Sequence, residues 1–275
     1  MNHVSDKPDN LIFSLEITNG YVFRQIFELY DKLVINSIPM FFKESGVTIR
    51  ASVLSTRDNK RLISDVEIFT DDVIDYYINT DLTTITSGQS GNPCQIEKLT
   101  MTTVKSILKS ISKSNSIRLY KTTDCDDIRI QIKGANIENA KVTSSAYQNS
   151  DYDISQFDNI RETANVKVDI GQFCATMKGI VRDTDFTTFR IYDKGIIVEG
   201  KNAINSIIKN NQWGIIEGEY HECTVGTNFI KALCKINGMA NYSIVKFYCS
   251  ADKCFKLNHK IGDFGEHNLY ISETV

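Results

Sequence analysis

No apolar run in this chain approaches the roughly 20 residues that would span a bilayer. The start, MNHVSDKPDN, has no apolar core of a secretory signal. Together these absences predict a non-secreted protein with no membrane partner. Proline is scarce, at three residues in 275, while β-branched residues abound, which predicts extensive sheet. The seven cysteines (Cys94, Cys125, Cys174, Cys223, Cys234, Cys249 and Cys254) are odd in number and none stands in a CxxC pair. That argues against a disulfide framework or zinc ribbon and predicts reduced thiols packed as small apolar groups. The four histidines are scattered, and neither HEC (221–223) nor the Cys249/Cys254 pair has metal-ligand spacing. GQSG lacks both the glycine spacing and the Lys-Ser/Thr ending of a phosphate-binding loop. No nucleophile stands beside a base. The chain is therefore expected to have no catalytic residue, no metal and no cofactor.

What is present begins with VKSILKSISKS (104–114), which has three lysines and no acid in a chain of net charge −3. At about 100° per residue, Lys105, Lys109 and Lys113 fall on one helical face, with Val104, Ile107, Leu108 and Ile111 opposite. One amphipathic helix with a basic wet face is unremarkable. Four candidate helices, 20–33, 102–114, 170–182 and 226–240, carry net charges of 0, +3, +2 and +2, which leaves −10 on the rest of the chain. Basic charge gathered on helices and acid spread elsewhere points to a polyanionic partner.

The chain also repeats. SIRLYKTTDCDDIRIQI (116–132) lies over SIVKFYCSADKCFKLNH (243–259) at an offset of 127, each an alternating hairpin pattern. Each follows a helix with lysines four residues apart, Lys105/Lys109 and Lys231/Lys235. Upstream, ESGVTIRAS (44–52) resembles DKGIIVEGK (193–201) at an offset of 149. Each half reads as helix, strands, helix, strands, and the first also holds a Gly/Ser-rich excursion, TSGQSGNPC (86–94). Between the halves, SDYDISQFDNIRETAN (150–165) is acidic, without strand or helix period, and carries spaced apolar residues. Three segments follow: domain 1–150, connector 151–164 and domain 165–275.

The duplicated order, the acidic connector and the ending KIGDFGEHNLYISE together resemble the DNA sliding clamps of the proliferating cell nuclear antigen (PCNA) family, over Leu11 to Glu273. The resemblance implies an α+β processivity fold: two similar domains, each with two helices backing onto antiparallel sheet. Three subunits would close head to tail into a ring. The helices would line a hole around duplex DNA and grip phosphates without reading sequence. It implies DNA contacts at Arg24, Lys109, Lys178, Arg182 and Lys235, with Lys32, Lys105, Lys113 and Lys231 on or near the same stripes. Glu28 and Asp31 stand among the basic residues of the first helix. Subunits would pair through edge strands 141–149 (Val142, Ser144, Ala146) and 186–194 (Thr188, Arg190, Tyr192). Ile154, Phe157, Ile160, Cys254, Tyr270 and Ile271 would frame a pocket for peptides from a DNA polymerase and other clamp-binding proteins. A clamp loader is a further implied partner. The implied location is the nucleus, or a cytoplasmic replication site for a viral chain. Two related alternatives share the fold: a checkpoint-type subunit of a hetero-oligomeric clamp, and a viral processivity factor that is not a closed homotrimer.

Overall fold

The computed structural model describes residues 9–55, 60–81, 94–134, 137–142, 144–145, 162–180, 184–192, 195–200, 206–209, 218–239, 244–250 and 255–273. The chain forms two compact units. One comprises Met1–Phe27, Asn36–Ile49 and Glu67–Gln148; the other comprises Glu28–Ile35, Arg50–Val66 and Asn149–Val275.

The first unit holds strands β1 (Leu11–Ile17), β2 (Ser37–Lys43), β5 (Asp75–Ile78), β6 (Cys94–Thr100), β7 (Ser116–Thr122), β8 (Ile128–Lys133), β9 (Ile137–Val142) and β10 (Ser144–Ser145). Strands β3 (Gly46–Ser55) and β4 (Lys60–Phe69) are each divided between the units. One sheet runs β5-β1-β7-β8-β9, and a second arrangement runs β10-β6-β2-β3. Helices α1 (Gly20–Lys32) and α2 (Met101–Leu108) supply apolar stripes: Phe23 and Ile26 from α1, Val104 and Leu108 from α2, all nearly solvent-free. Between the sheets, Phe13 of β1 stacks on Phe42 of β2 at 3.7 Å. Asn19 caps α1 by accepting the Val22 N–H at 3.2 Å.

In the second unit the order β4-β18-β17-β16-β11 uses β11 (Glu162–Asp169), β16 (Ile244–Ser250), β17 (Phe255–Ile261) and β18 (Gly265–Glu273). A four-stranded sheet runs β14-β13-β12-β15, from β12 (Phe186–Tyr192), β13 (Gly195–Gly200), β14 (Ser206–Lys209) and β15 (His221–Gly226). Helix α3 (Ile170–Ile180) is capped by Asp169, whose Oδ1 accepts the Gln172 N–H at 2.8 Å. Helix α4 (Thr227–Leu233) is followed by a 3₁₀ turn, Ile236–Gly238. Phe173 of α3, Phe247 of β16, Phe255 of β17 and Phe189 of β12 form a file of rings 5.1–5.5 Å apart that ties helix to both sheets.

The repeat is real, with one correction. Both expected hairpins form, β7–β8 and β16–β17, but Leu119 pairs with Ile130 and Phe247 pairs with Leu257. The return strands therefore correspond at an offset of 127 and the outgoing strands at 128. The gapless sequence alignment set buried Leu119 over half-exposed Lys246, on opposite sheet faces. The upstream pair holds as read: Lys43 faces Gly46 and Tyr192 faces Gly195.

Helix α1 ends in an unusual way. The Ile35 N–H reaches Tyr30 O and the Val34 N–H reaches Asp31 O, each at 3.1 Å, the two bonds of a Schellman motif. The left-handed position that closes it is Val34, with φ 60° and 80 % exposure. Glycine is favoured there because a β-branched side chain crowds the backbone. Val34→Gly is expected to raise the unfolding free energy by about 1 kcal/mol, read as a higher urea midpoint at unchanged slope.

The second unit also contains a fully buried polar file. His259 and His267 pair directly across β17–β18, with His259 Nε2 2.9 Å from His267 Nδ1. His259 Nδ1 is 3.0 Å from Lys260 O, and His267 Nε2 is 2.8 Å from Ser64 Oγ. Ser64 in turn lies 3.3 Å from the Tyr30 hydroxyl. Lys260 O can only accept, so His259 carries its proton on Nδ1 and accepts at Nε2 from His267 Nδ1–H. Ser64 must then donate to His267 Nε2. Burial holds both imidazoles neutral: His259 is pushed down to about 4 and His267 well below its ordinary value.

Candidate nucleic-acid interface

The basic residues of the first unit gather where α2 ends. The spacing of lysines and apolar residues predicted a helix over 102–114, but α2 stops at Leu108. Asn115 is the reason. Its Oδ1 accepts the Ser112 N–H and hydroxyl, each at 2.7 Å, while its Nδ2 donates to Lys133 O at 3.1 Å. This local alternative to the helical ladder turns the chain. Arg24 of α1 then donates from Nη1 to Lys109 O (3.2 Å) and Ile111 O (3.1 Å), carbonyls that the ended helix leaves open. Tyr21 sits beneath two cations, Arg24 at 6.0 Å and Lys113 at 5.8 Å from its ring centre. Arg24 thus positions Lys109 as well as adding charge. Lys105, Lys109 and Lys113 are all exposed.

In the second unit Lys178 is exposed on α3, and Lys231 is exposed on α4. Lys235 lies beyond α4, with its Nζ 3.6 Å from Glu28 Oε2, so its cation is partly neutralised. Lys32 is exposed in the last turn of α1. Arg182 lies outside the described residues. Each of the four helices among the described residues has a cation in its last turn (Lys32, Lys105, Lys178, Lys231), where it offsets the helix dipole. That role accounts for one cation per helix. It does not account for the absence of any Asp or Glu from α2, α3 and α4.

One expectation for the subunit interface is overturned. Strand 186–194 is not an edge: β12 pairs with β13 on one side and β15 on the other, so its ladder groups are already used. Thr188, Arg190 and Tyr192 instead project from an interior strand. Thr188 bonds Thr224 at 2.9 Å, and Arg190 is held by Glu222 at 2.9 Å and Glu199 at 2.6 Å. Among the described residues, the outermost strands of that sheet are β14 and β15. In the first unit β9 is outermost and covers part of the segment expected as an edge. Val142 lies opposite Ile128 and is fully buried. Ser144 has crossed to pair with Leu99 in β10, and Ala146 lies outside the described residues.

For the expected peptide pocket, Ile154, Phe157, Ile160 and Cys254 lie outside the described residues. Ile271 pairs with Phe255 and is fully buried, a core residue rather than a pocket wall. Tyr270 is 8 % exposed, with Lys256 Nζ 5.6 Å from its ring centre. Sequence reasoning missed the histidine file although a signal was present. In HKIGDFGEH (259–267) the two histidines stand symmetrically about a turn, which places them opposite each other in a hairpin.

No family model and no curated protein sequence matches this chain. Solved structures do. The PCNA2–PCNA3 complex from Sulfolobus tokodaii aligns at a TM-score of 0.73 and 15 % identity, covering 94 % of this chain and 98 % of that one. The proliferating cellular nuclear antigen of Entamoeba histolytica aligns at 0.73 and 12 % identity, covering 96 % and 100 %. The α+β fold of two helix-backed halves is that of the PCNA-type clamps, in a sequence only 12–15 % identical to these two.

Proposed function

We infer that the clamp-folded chain is a non-catalytic DNA clamp: copies of it assemble into a ring around duplex DNA and hold replication or repair proteins there. The observation that carries this reading is the set of acid-free helices with exposed lysines in a chain that is otherwise acidic. Cations facing a duplex from a surrounding ring supply sequence-independent attraction that salt weakens. An acidic remainder keeps DNA from adhering elsewhere. Both clamp structures above share the fold, and one of them is a complex of two PCNA chains.

Closure needs two open strand edges per copy. The outermost positions of β9 in one unit and β14 in the other offer them, and β9 pairing with β14 of the next copy gives a head-to-tail ring of three identical subunits. A polymerase, other peptide-bearing partners and a loader would engage the side that carries Tyr270. Native mass spectrometry at micromolar concentration is expected to show three copies of 31.1 kDa. Ile207→Pro in β14 should reduce that species to a monomer. A monomer or dimer for the unaltered chain rejects the self-closed ring, and a trimer only when mixed with a second clamp subunit identifies the hetero-oligomeric form.

A further inference from the structure

The solvent face of the five-stranded sheet is not acidic. Residues paired directly across antiparallel strands share a face, and one such row crosses all five strands: Tyr77, Ser14, Tyr120, Arg129 and Lys141. The next row runs Asp75, Glu16, Arg118 and Gln131. Lys133 lies beyond, and its Nζ meets Glu16 Oε1 at 2.5 Å. Leu15, Leu119 and Ile130, which lie between these rows, are fully buried on the opposite face, so the rows form the outward side, where Ser14 and Glu16 are covered by their neighbours.

Tyr120 is the centre of this face. The Arg118 guanidinium lies 5.4 Å from its ring and that of Arg129 6.0 Å. Arg118 Nε is anchored on Ser14 Oγ at 3.0 Å. Arg129 meets Asp124 only at 3.4 Å, and its buried Nε has no hydrogen-bond partner among the described residues. Lys141 is exposed. The arrangement recurs in the second half at the corrected offsets: Tyr248 stands where Tyr120 does, Lys246 where Arg118 does, and Lys256 where Arg129 does. Lys256 Nζ is 5.4 Å from the Tyr248 ring. The first half differs in using arginine, whose planar fork grips carboxylates two bonds at a time.

We propose that this face, centred on Arg118, Tyr120, Arg129 and Lys141, is a docking surface for an acidic peptide segment of a partner protein. Charge complementarity selects the class: Lys133 already offsets Glu16, so the surplus is cationic. Two features select a peptide over a nucleic acid. Arginines lie near the Tyr120 ring, where a base would otherwise stack. Asp75 and Glu16 interrupt the cations, so a continuous phosphodiester would meet like charge where spaced carboxylates need not.

The test uses the full chain and a fluorescein-labelled peptide of alternating glutamate and glycine, followed by anisotropy. Its glutamine counterpart is the neutral control, and a single-stranded thymidine oligonucleotide of equal charge is the competitor. The glutamate peptide is expected to bind, with an affinity that falls as salt rises from about 0.1 M to about 0.5 M. Arg129→Gln with Lys141→Gln should weaken it about tenfold or more at an unchanged melting temperature. Lys105→Glu with Lys109→Glu should leave it intact, so failure here and failure of DNA binding are read separately. Absence of binding overturns the proposal, as does equal binding of the glutamine peptide or an affinity indifferent to the Arg129/Lys141 pair. Preferential displacement by the oligonucleotide assigns the face to nucleic acid instead.

Discussion

Lys105→Glu combined with Lys109→Glu is expected to weaken binding to duplex DNA by about 100-fold or more at low salt and to flatten its salt dependence. Each copy loses two phosphate contacts, a ring of three loses six, and each contact adds roughly 0.9 to the slope of log affinity against log salt. Stability should move by less than about 1 kcal/mol, because both side chains are exposed and only the helix-terminal charge is reversed. Lys235→Glu should do less to DNA binding, since Lys235 is already opposed by Glu28. Titration of a labelled duplex at several salt concentrations distinguishes these cases. An unchanged slope would assign Lys105 and Lys109 to ordinary solvated surface.

Acid should unfold the protein through the histidine file. His259 has a folded pKa depressed from 6.5 to about 4 by burial. A depressed pKa means that the neutral, folded form is favoured above the unfolded value, so this contribution is complete above about pH 6.5. It is lost as pH falls through about 4. At about 1.4 kcal/mol per pH unit, His259 alone is worth about 3 kcal/mol across that window, and His267 acts in the same direction. His259 cannot take a second proton without setting its Nε2–H against the His267 Nδ1–H at 2.9 Å. Urea midpoints measured from pH 7 to pH 4 should fall steeply. In His259→Leu with His267→Leu the fall should be shallower, and a wild-type midpoint that stays flat would show that the file is open to water. His267→Ala alone should destabilise the protein at pH 7 by about 2–3 kcal/mol, because His259 Nε2 and the Ser64 hydroxyl each lose a buried partner.

Much of this molecule was legible before the structure, for physical reasons that also mark where legibility stopped. The duplicated helix–strand order follows from periodicity, and periodicity is a property of the sequence. Which strand lies beside which is not. FTTFRIYDK alternates in the same way whether it is an edge or an interior strand, and β12 is interior. The lysines of 104–114 keep a helical period past Leu108, but Asn115, a residue whose side chain competes for backbone donors, ends the helix early. The single-residue shift between the two hairpins escaped because a gapless match weighs letters rather than faces. Tyr120 and Tyr248 become equivalent only once the registers are known. Of the pocket, Ile271 was placed there by the resemblance to the clamp family rather than by its own strand pattern, and its pairing with Phe255 places it in the core.

The central claim is that copies of this chain encircle DNA, and topology tests it most directly. Purified protein is incubated with a linear duplex, the ends are ligated into a circle, and the salt is raised to about 1 M, where screening removes surface attraction within a few ångströms. A closed ring is expected to remain on the ligated circle and to leave only when a restriction enzyme reopens it. Protein that dissociates equally from circle and linear duplex would contradict the account.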